Sequence, residues 1–356
     1  MEDRPDQHVR EGTTVALTDR MIRIPDVDRI RTQDPNNHLH CRRSQLLAYV
    51  AGSTPWSDLL MYRALGSTAA VYRHCHLRGK DRWAFEPPYV TGGDLRLLGF
   101  ELLSAGTVAI DRFESGLPGF LAAGQPVFFY APRHHLPHWV EFMRRVGTVP
   151  EEQRLLHSFL VCGASSTEVL LLDNTSDDHE YVPLTVGWDV LREGYAREPE
   201  RWFVDSSTVV RESDPDLDGF ESAYRAFLAR YRDGFQIYDL IGAGLVAERA
   251  QAGAVYRVPG VNSMALLAGS RTLFSRFLAL TRHGHQVRAA YSGIAQLANA
   301  LSDQVNAFHA GTPTLSAGRI RSGLTELRER EQRAAVLLTD EAARLPRILP
   351  SGPGVR

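Results

Sequence analysis

The apolar positions of this chain change their spacing several times along its length. Up to about residue 36 they come in short patches, Thr14 to Leu17 and Met21-Ile22-Arg23-Ile24. The second is stopped by Pro25, and each predicts a short strand at most. After the turn formers Gln33-Asp34-Pro35-Asn36-Asn37, the residues Leu46, Leu47 and Val50 share one face of a helix. That helix begins near Cys41 and stops at Gly52. Trp56 to Leu65 also reads as helix, set among Gly- and Pro-rich connections that run to about residue 105.

From Thr107 the pattern turns strand-like. Thr107 to Ile110 and Pro126 to Tyr130 are short runs of β-branched or aromatic residues, separated by the glycine-rich stretch Gly116 to Gly124. The clearest unit follows: His157 to Cys162, then Gly163-Ala164-Ser165-Ser166-Thr167, then Glu168 to Asp173, which predicts a β-hairpin with a five-residue turn. Past residue 198 the chain carries Pro199, Pro215 and a run of acidic and hydroxyl residues, the composition of a linker. Beyond it, Phe220, Tyr224, Phe227, Leu228 and Tyr231 recur at helical spacing, as do Leu266, Leu273, Phe277 and Leu280. A charged amphipathic helix runs from about Ser316 to Ala343. The fold class expected is α+β: a mixed domain over residues 1–195, a linker or crossing segment over 196–218, a helical domain over 219–345 and a flexible tail over 346–356.

Charge narrows the partners. Forty basic against 42 acidic residues leave a net charge of −2, which supplies no general field for a nucleic acid. The acidic start Met1-Glu2-Asp3 lacks the basic and apolar regions of a signal peptide, and no run of ~18 apolar residues occurs. A soluble, cytoplasmic protein with no membrane partner is expected. Three scattered cysteines, Cys41, Cys75 and Cys162, are too few for a disulfide framework in 356 residues, so free thiols are expected.

A thiol serves as a nucleophile when its thiolate is accessible, and a helix N-terminus with cations close by favours that form. Cys41 stands at such a position, between His38 and His40 on one side and Arg42-Arg43 on the other. Its base and the group that orients the base are expected on the hairpin. With the turn centred on Ser165, residues whose numbers sum to 330 face each other, which sets His157 against Asp173. Asn174, on the opposite face of a regular strand, is the reserve orienter. A cysteine at a helix start, followed by histidine and aspartate on paired strands, is the order and layout of a papain-like cysteine site.

These residues also carry a likeness to a known family. Asn37-His38-Leu39-His40-Cys41 at a helix start, Tyr130-Ala131-Pro132-Arg133-His134-His135-Leu136-Pro137-His138 after a strand, and His157 to Val161 leading to Asp173 resemble the N-terminal domain of the butirosin-biosynthesis acyltransferase family. The likeness covers about residues 36 to 190. It implies a papain-like core, with the cysteine-bearing helix packed on an antiparallel sheet, followed by a mostly helical C-terminal domain. It implies acyl transfer from a carrier-protein thioester to an amine or hydroxyl acceptor in natural-product and antibiotic biosynthesis, by way of an acyl-Cys41. The donor would carry a phosphopantetheine arm on an acyl carrier protein, the acceptor would be a small molecule, and the enzyme itself would need no cofactor. The backbone N–H of Cys41, with Asn37 or Asn36, would hold the oxyanion. Tyr130, His134, His135, His138 and His40 would line the substrate.

Other outcomes use the same residues or none of them. Hydrolytic or cyclising release of the carrier-bound chain needs the same triad, and a papain-like module without chemistry needs only the fold. A zinc centre built from His134, His135 and His138 with His157, or from His38, His40 and Cys41, lacks any Cys-x-x-Cys or His-Glu-x-x-His pattern, and no metal is expected. Gly242-Ala243-Gly244 lacks the third glycine of a dinucleotide loop and reads as small-residue helix packing. Oligomeric state is open, a homodimer included.

Overall fold

The computed structural model describes residues 17–25, 27–30, 39, 41–82, 85–86, 89–145, 156–174, 181–198, 204–251 and 258–350. In chain order they form β1 (Ile22–Arg23), α1 (Cys41–Ser53), a 3₁₀ stretch (Ser57–Ser67), α2 (Thr68–Val71), a π-helical turn (Tyr72–Leu77), α3 (Gly92–Leu97), β2 (Phe100–Val108), α4 (Ile110–Ala122) and β3 (Val127–Pro132). Then come a 3₁₀ turn (Arg133–His135), α5 (Pro137–Arg145), β4 (Leu156–Ala164), β5 (Glu168–Asn174), β6 (Tyr181–Gly187), α6 (Trp188–Arg197) and β7 (Val204–Arg211). The helices α7 (Leu217–Arg230), α8 (Ile237–Gln251), α9 (Pro259–Ala279), α10 (His285–His309) and α11 (Ala317–Arg344) complete the chain, so the class is α+β. Two compact units result: Met1–Gln33, Gln45–Ser53 and Phe100–Glu212 in the first, Asp34–Ser44, Thr54–Gly99 and Ser213–Arg356 in the second. The boundaries follow contacts and not chain order, so the division runs through α1 after Ser44. No helix among the described residues is long and apolar enough to cross a membrane.

The first unit is built on one antiparallel sheet in the order β2-β7-β3-β4-β5-β6, with β1 pairing the turn end of β4. Val127 to Phe129 and Phe159 to Cys162 are buried without a break, as strands covered on both faces must be. Gln45 of α1 reaches the face that carries Ser158, and α4 covers the other through Phe113, whose ring lies 5.4 Å from that of Phe129. Two sequence readings are corrected here. The stretch Gly116 to Gly124, read as a connection, lies largely within α4, because Phe113, Leu117 and Leu121 form a buried stripe at helical spacing while Gly116 and Gly119 face open space. The strand expected at Thr107 to Ile110 instead runs from Phe100 to Val108, and Ile110 opens α4.

The segment 196–218, read as a linker or crossing segment, contains β7, which lies inside the sheet between β2 and β3. Its polar composition conceals the strand because the polar atoms are satisfied internally: Thr208 is buried and its hydroxyl donates to the carbonyl of Pro126 at 2.8 Å.

The second unit is mostly helical. Its central helix, α9, is buried almost all round. Tyr62 packs edge-on against Phe220, Tyr224 and Phe227, with ring centroids 6.0 to 6.3 Å apart. The tail read as flexible from residue 346 is docked as far as it is described. Ile348 and Leu349 are fully buried, and their N–H groups donate to the Glu221 carboxylate at 3.0 and 2.7 Å.

Candidate functional site

The hairpin forms, but with a different turn and register. Ala164 pairs with Val169 and Gly163 with Leu170, which leaves Ser166-Thr167 at the tip in place of a five-residue turn. After an irregularity between Val161 and Gly163 the pairs are Val161 with Leu171 and Leu160 with Leu172. Cys162 is therefore an extra residue on β4, a bulge that shifts the parity of everything beyond it. Continuing this register sets Phe159 opposite Asp173, and His157 falls two positions away on the same face. The imidazole covers that diagonal: His157 Nε2 lies 2.7 Å from Asp173 Oδ1.

Asp173 has no exposed surface, and its other oxygen, Oδ2, receives Trp139 Nε1–H at 2.8 Å and lies 2.9 Å from His138 Nε2. Both partners come from the first turn of α5, which Pro137 opens, as a residue without an N–H is suited to do. Burial alone would raise the Asp173 pKa. The charge of His157 and the hydrogen bonds from His138 and His157 outweigh it and hold the carboxyl at about 2. Asp173 is thus a fixed anion. The His157 ring is also set edge-on to Trp139 and Phe159, at 5.1 and 4.9 Å between centroids, so its plane is determined by packing. With Nε2–H given to the carboxylate, Nδ1 is the nitrogen that accepts a proton.

Cys41 is the first residue of α1 and is partly exposed, whereas Cys75 and Cys162 are buried. Burial pushes the Cys75 thiol up to about 11 and the Cys162 thiol higher still. One helical turn after Cys41, the buried Gln45 donates from Nε2 to the carbonyls of Ser158 at 2.7 Å and Leu172 at 3.4 Å, and accepts from Ser158 Oγ at 3.0 Å. These two carbonyls belong to the residues next to His157 and Asp173, so Gln45 bridges β4 and β5 beside the pair. Arg43 is turned to other work: it pairs with Glu86 at 3.1 Å and donates to the carbonyls of Tyr89 and Val90.

The remaining sequence candidates divide. Tyr130 is half-buried on β3 opposite Ser158, and the backbone of Asn174 ends β5 opposite Tyr181. His134 and His135 face Glu198, with Nε2 to Oε2 distances of 3.7 and 3.8 Å, while His138 goes to Asp173. Asn36, Asn37 and His40 lie outside the described residues. The sequence reading missed Trp139 and His138 as donors to Asp173, Gln45 as the anchor of α1 and Glu198 as the partner of the histidine pair. Of these, only Gln45 had a local signal, four residues after Cys41 on one helix face.

No protein-family model matches the chain. It is 22% identical over 244 residues to the ribostamycin:4-(gamma-L-glutamylamino)-(S)-2-hydroxybutanoyl-[BtrI acyl-carrier protein] 4-(gamma-L-glutamylamino)-(S)-2-hydroxybutanoate transferase of Niallia circulans, across 67% of this chain and 75% of that one. This chain resembles a carrier-protein-linked transferase at low identity. The transferase named is a carrier-protein-linked one, and the likeness expected from Cys41, the Tyr130 to His138 segment and the His157 strand agrees with it.

Proposed function

We propose that this chain is a relative of the butirosin-biosynthesis acyltransferases and itself a cysteine-dependent acyltransferase of papain-like core. It would move an acyl or peptidyl group from a carrier-protein thioester to the amine or hydroxyl of a small molecule in natural-product assembly. The observation that carries the reading is the imidazole of His157 held through Nε2 by a buried Asp173 whose pKa is lowered. That arrangement fixes a base's tautomer and stabilises its protonated form. The nucleophile assigned to it is Cys41, the partly exposed one of the three thiols.

In the first half-reaction the Cys41 thiol gives its proton to His157 Nδ1 and the sulfur attacks the thioester carbonyl. The backbone N–H of Cys41, with Asn37 or Asn36, is assigned to the oxyanion. Collapse of the tetrahedral intermediate expels the phosphopantetheine thiolate, which takes the proton back from His157 and leaves acyl-Cys41. In the second, the acceptor amine or hydroxyl attacks this thioester, gives its proton to His157, and the Cys41 thiolate departs. Asp173 stays ionised throughout. Tyr130, His134, His135, His138 and His40 are the side chains assigned to the substrate.

Intact-protein mass spectrometry after incubation with an acyl-carrier thioester tests the reading. One acyl adduct per chain is expected, absent in Cys41→Ala and discharged by an added amine. An adduct that forms equally in Cys41→Ala overturns the nucleophile. An adduct discharged at the same rate with and without the amine makes the protein a thioesterase or cyclase with the same residues.

A further inference from the structure

His134, His135 and Glu198 stand apart from the His157–Asp173 pair and form a donor set of their own. One ligand atom from each lies within 4.8 Å of the other two. The side chains are held in place: His134 is 8% exposed, His135 9% and Glu198 17%, so ordering them on an ion costs little rotamer freedom. The Glu198 oxygen faces both imidazoles at 3.7 and 3.8 Å, beyond hydrogen-bond reach of either. Ligands about 2.0–2.1 Å from a tetrahedral zinc lie roughly 3.3 Å from one another, so each imidazole-to-carboxylate gap exceeds that spacing by about half an ångström or less. Arg197 is paired with Glu193, and the Arg133 guanidinium lies 4.9 Å over the Trp139 ring.

We propose that His134, His135 and Glu198 bind one divalent transition-metal ion of the zinc class. Two imidazoles and a carboxylate are the ligands, and a fourth position is left to water. The ion would tie the turn between β3 and α5 to the C-terminal end of α6. Because α5 supplies His138 and Trp139 to Asp173, the ion would also stiffen the mount of that carboxylate. On this inference His134 and His135 serve the ion and not the substrate; it does not otherwise depend on the transfer reaction.

Untagged protein, stripped with a chelator and dialysed, is titrated with zinc chloride by calorimetry and with cobalt(II) by absorption. One zinc per chain is expected, with a rise in Tm. The cobalt form should show visible d–d bands without a thiolate charge-transfer band. His135→Ala and Glu198→Gln should each weaken zinc at least ~10-fold, the scale on which even supporting groups matter to a metal site, while Cys41→Ala leaves it unchanged. Absence of binding by the folded wild type overturns the proposal. So does equal affinity in the folded variants, or a thiolate band. If a variant does not fold by far-ultraviolet circular dichroism, the cobalt spectrum and Tm of the wild type decide.

Discussion

His157 reaches Asp173 on the diagonal of a hairpin whose register is displaced by the bulge at Cys162. Without the extra residue, the pairing of Gly163 with Leu170 would continue to Leu160 opposite Asp173, and His157 would point to the other face. The bulge restores the parity that brings the two together. If the pair orients a base for Cys41, Asp173→Asn should remove the anion and present an amide to donors on both sides. Single-turnover acylation of Cys41 from a carrier thioester should slow roughly a thousandfold. Rates within about threefold of wild type would remove Asp173 from the mechanism.

The same carboxylate makes stability depend on acid. Its folded pKa of about 2 lies below its ordinary value of 3.8, so the folded state binds the proton less readily than the unfolded one. The stabilisation is therefore fully present above the unfolded value and is lost as pH falls through about 4 toward 2. A depression of this size corresponds to ~2 kcal/mol. Urea unfolding measured between pH 6 and pH 2 (about the range of both values) should show this loss in the wild type and a flatter dependence in Asp173→Asn. Parallel curves for the two proteins would mean that the carboxylate is not held as an anion.

The bulge has its own glycine. A Cβ built on Gly163 would lie 2.9 Å from the Ile22 carbonyl oxygen, 3.2 Å from Arg23 Cγ and 3.3 Å from Leu170 Cβ, so it meets backbone on one side and a paired strand on the other. Gly163→Ala should destabilise the protein by about 1–3 kcal/mol through displacement of β1 or reopening of the hairpin. If β4 re-registers to relieve the clash, acylation of Cys41 falls as well. A variant with unchanged Tm would show that β1 moves away freely.

Much of this site was legible because its residues sit on regular elements. Leu46, Leu47 and Val50 announce α1 by their spacing, and the apolar runs on either side of Gly163 to Thr167 announce the hairpin. The contact of His157 with Asp173 was reached through a register that the structure does not have. A turn three residues shorter and a one-residue bulge shift the pairing sum from 330 to 333 and then to 332, and the three sums each place a different residue opposite Asp173. Nothing local marks a bulge inside Val161-Cys162-Gly163 except the glycine. β7 and α4 were lost for a different reason, since tertiary burial overrode composition: hydroxyls satisfied within the sheet in one case, an apolar stripe carrying Pro118 in the other. His138 and Trp139 come from α5 and Glu198 from the end of α6, so their meeting with partners on other elements is a property of packing that spacing does not encode.

The last helix offers a test away from the site. Its charged sequence reads as a solvated face, yet Glu331 is fully buried, and Arg271 of α9 meets it with two parallel bonds, Nε to Oε1 at 2.5 Å and Nη2 to Oε2 at 2.8 Å. Tyr238 donates to the same carboxylate at 2.8 Å, and the guanidinium also donates to the carbonyls of Ala64 and Leu65 at 3.2 and 3.1 Å. The bonds fix where α9, α11 and the 3₁₀ stretch cross, but two charges have been taken out of water to form them. Glu331→Gln keeps the shape and removes one charge, which leaves the guanidinium uncompensated; a loss of about 3–5 kcal/mol is expected in urea unfolding of the helical unit. The double substitution Arg271→Met with Glu331→Leu removes both charges and should recover most of that loss, because apolar packing of similar volume replaces the pair. If the double variant is less stable than Glu331→Gln alone, the arginine's bonds to Ala64 and Leu65, and not its charge balance with Glu331, hold this crossing together.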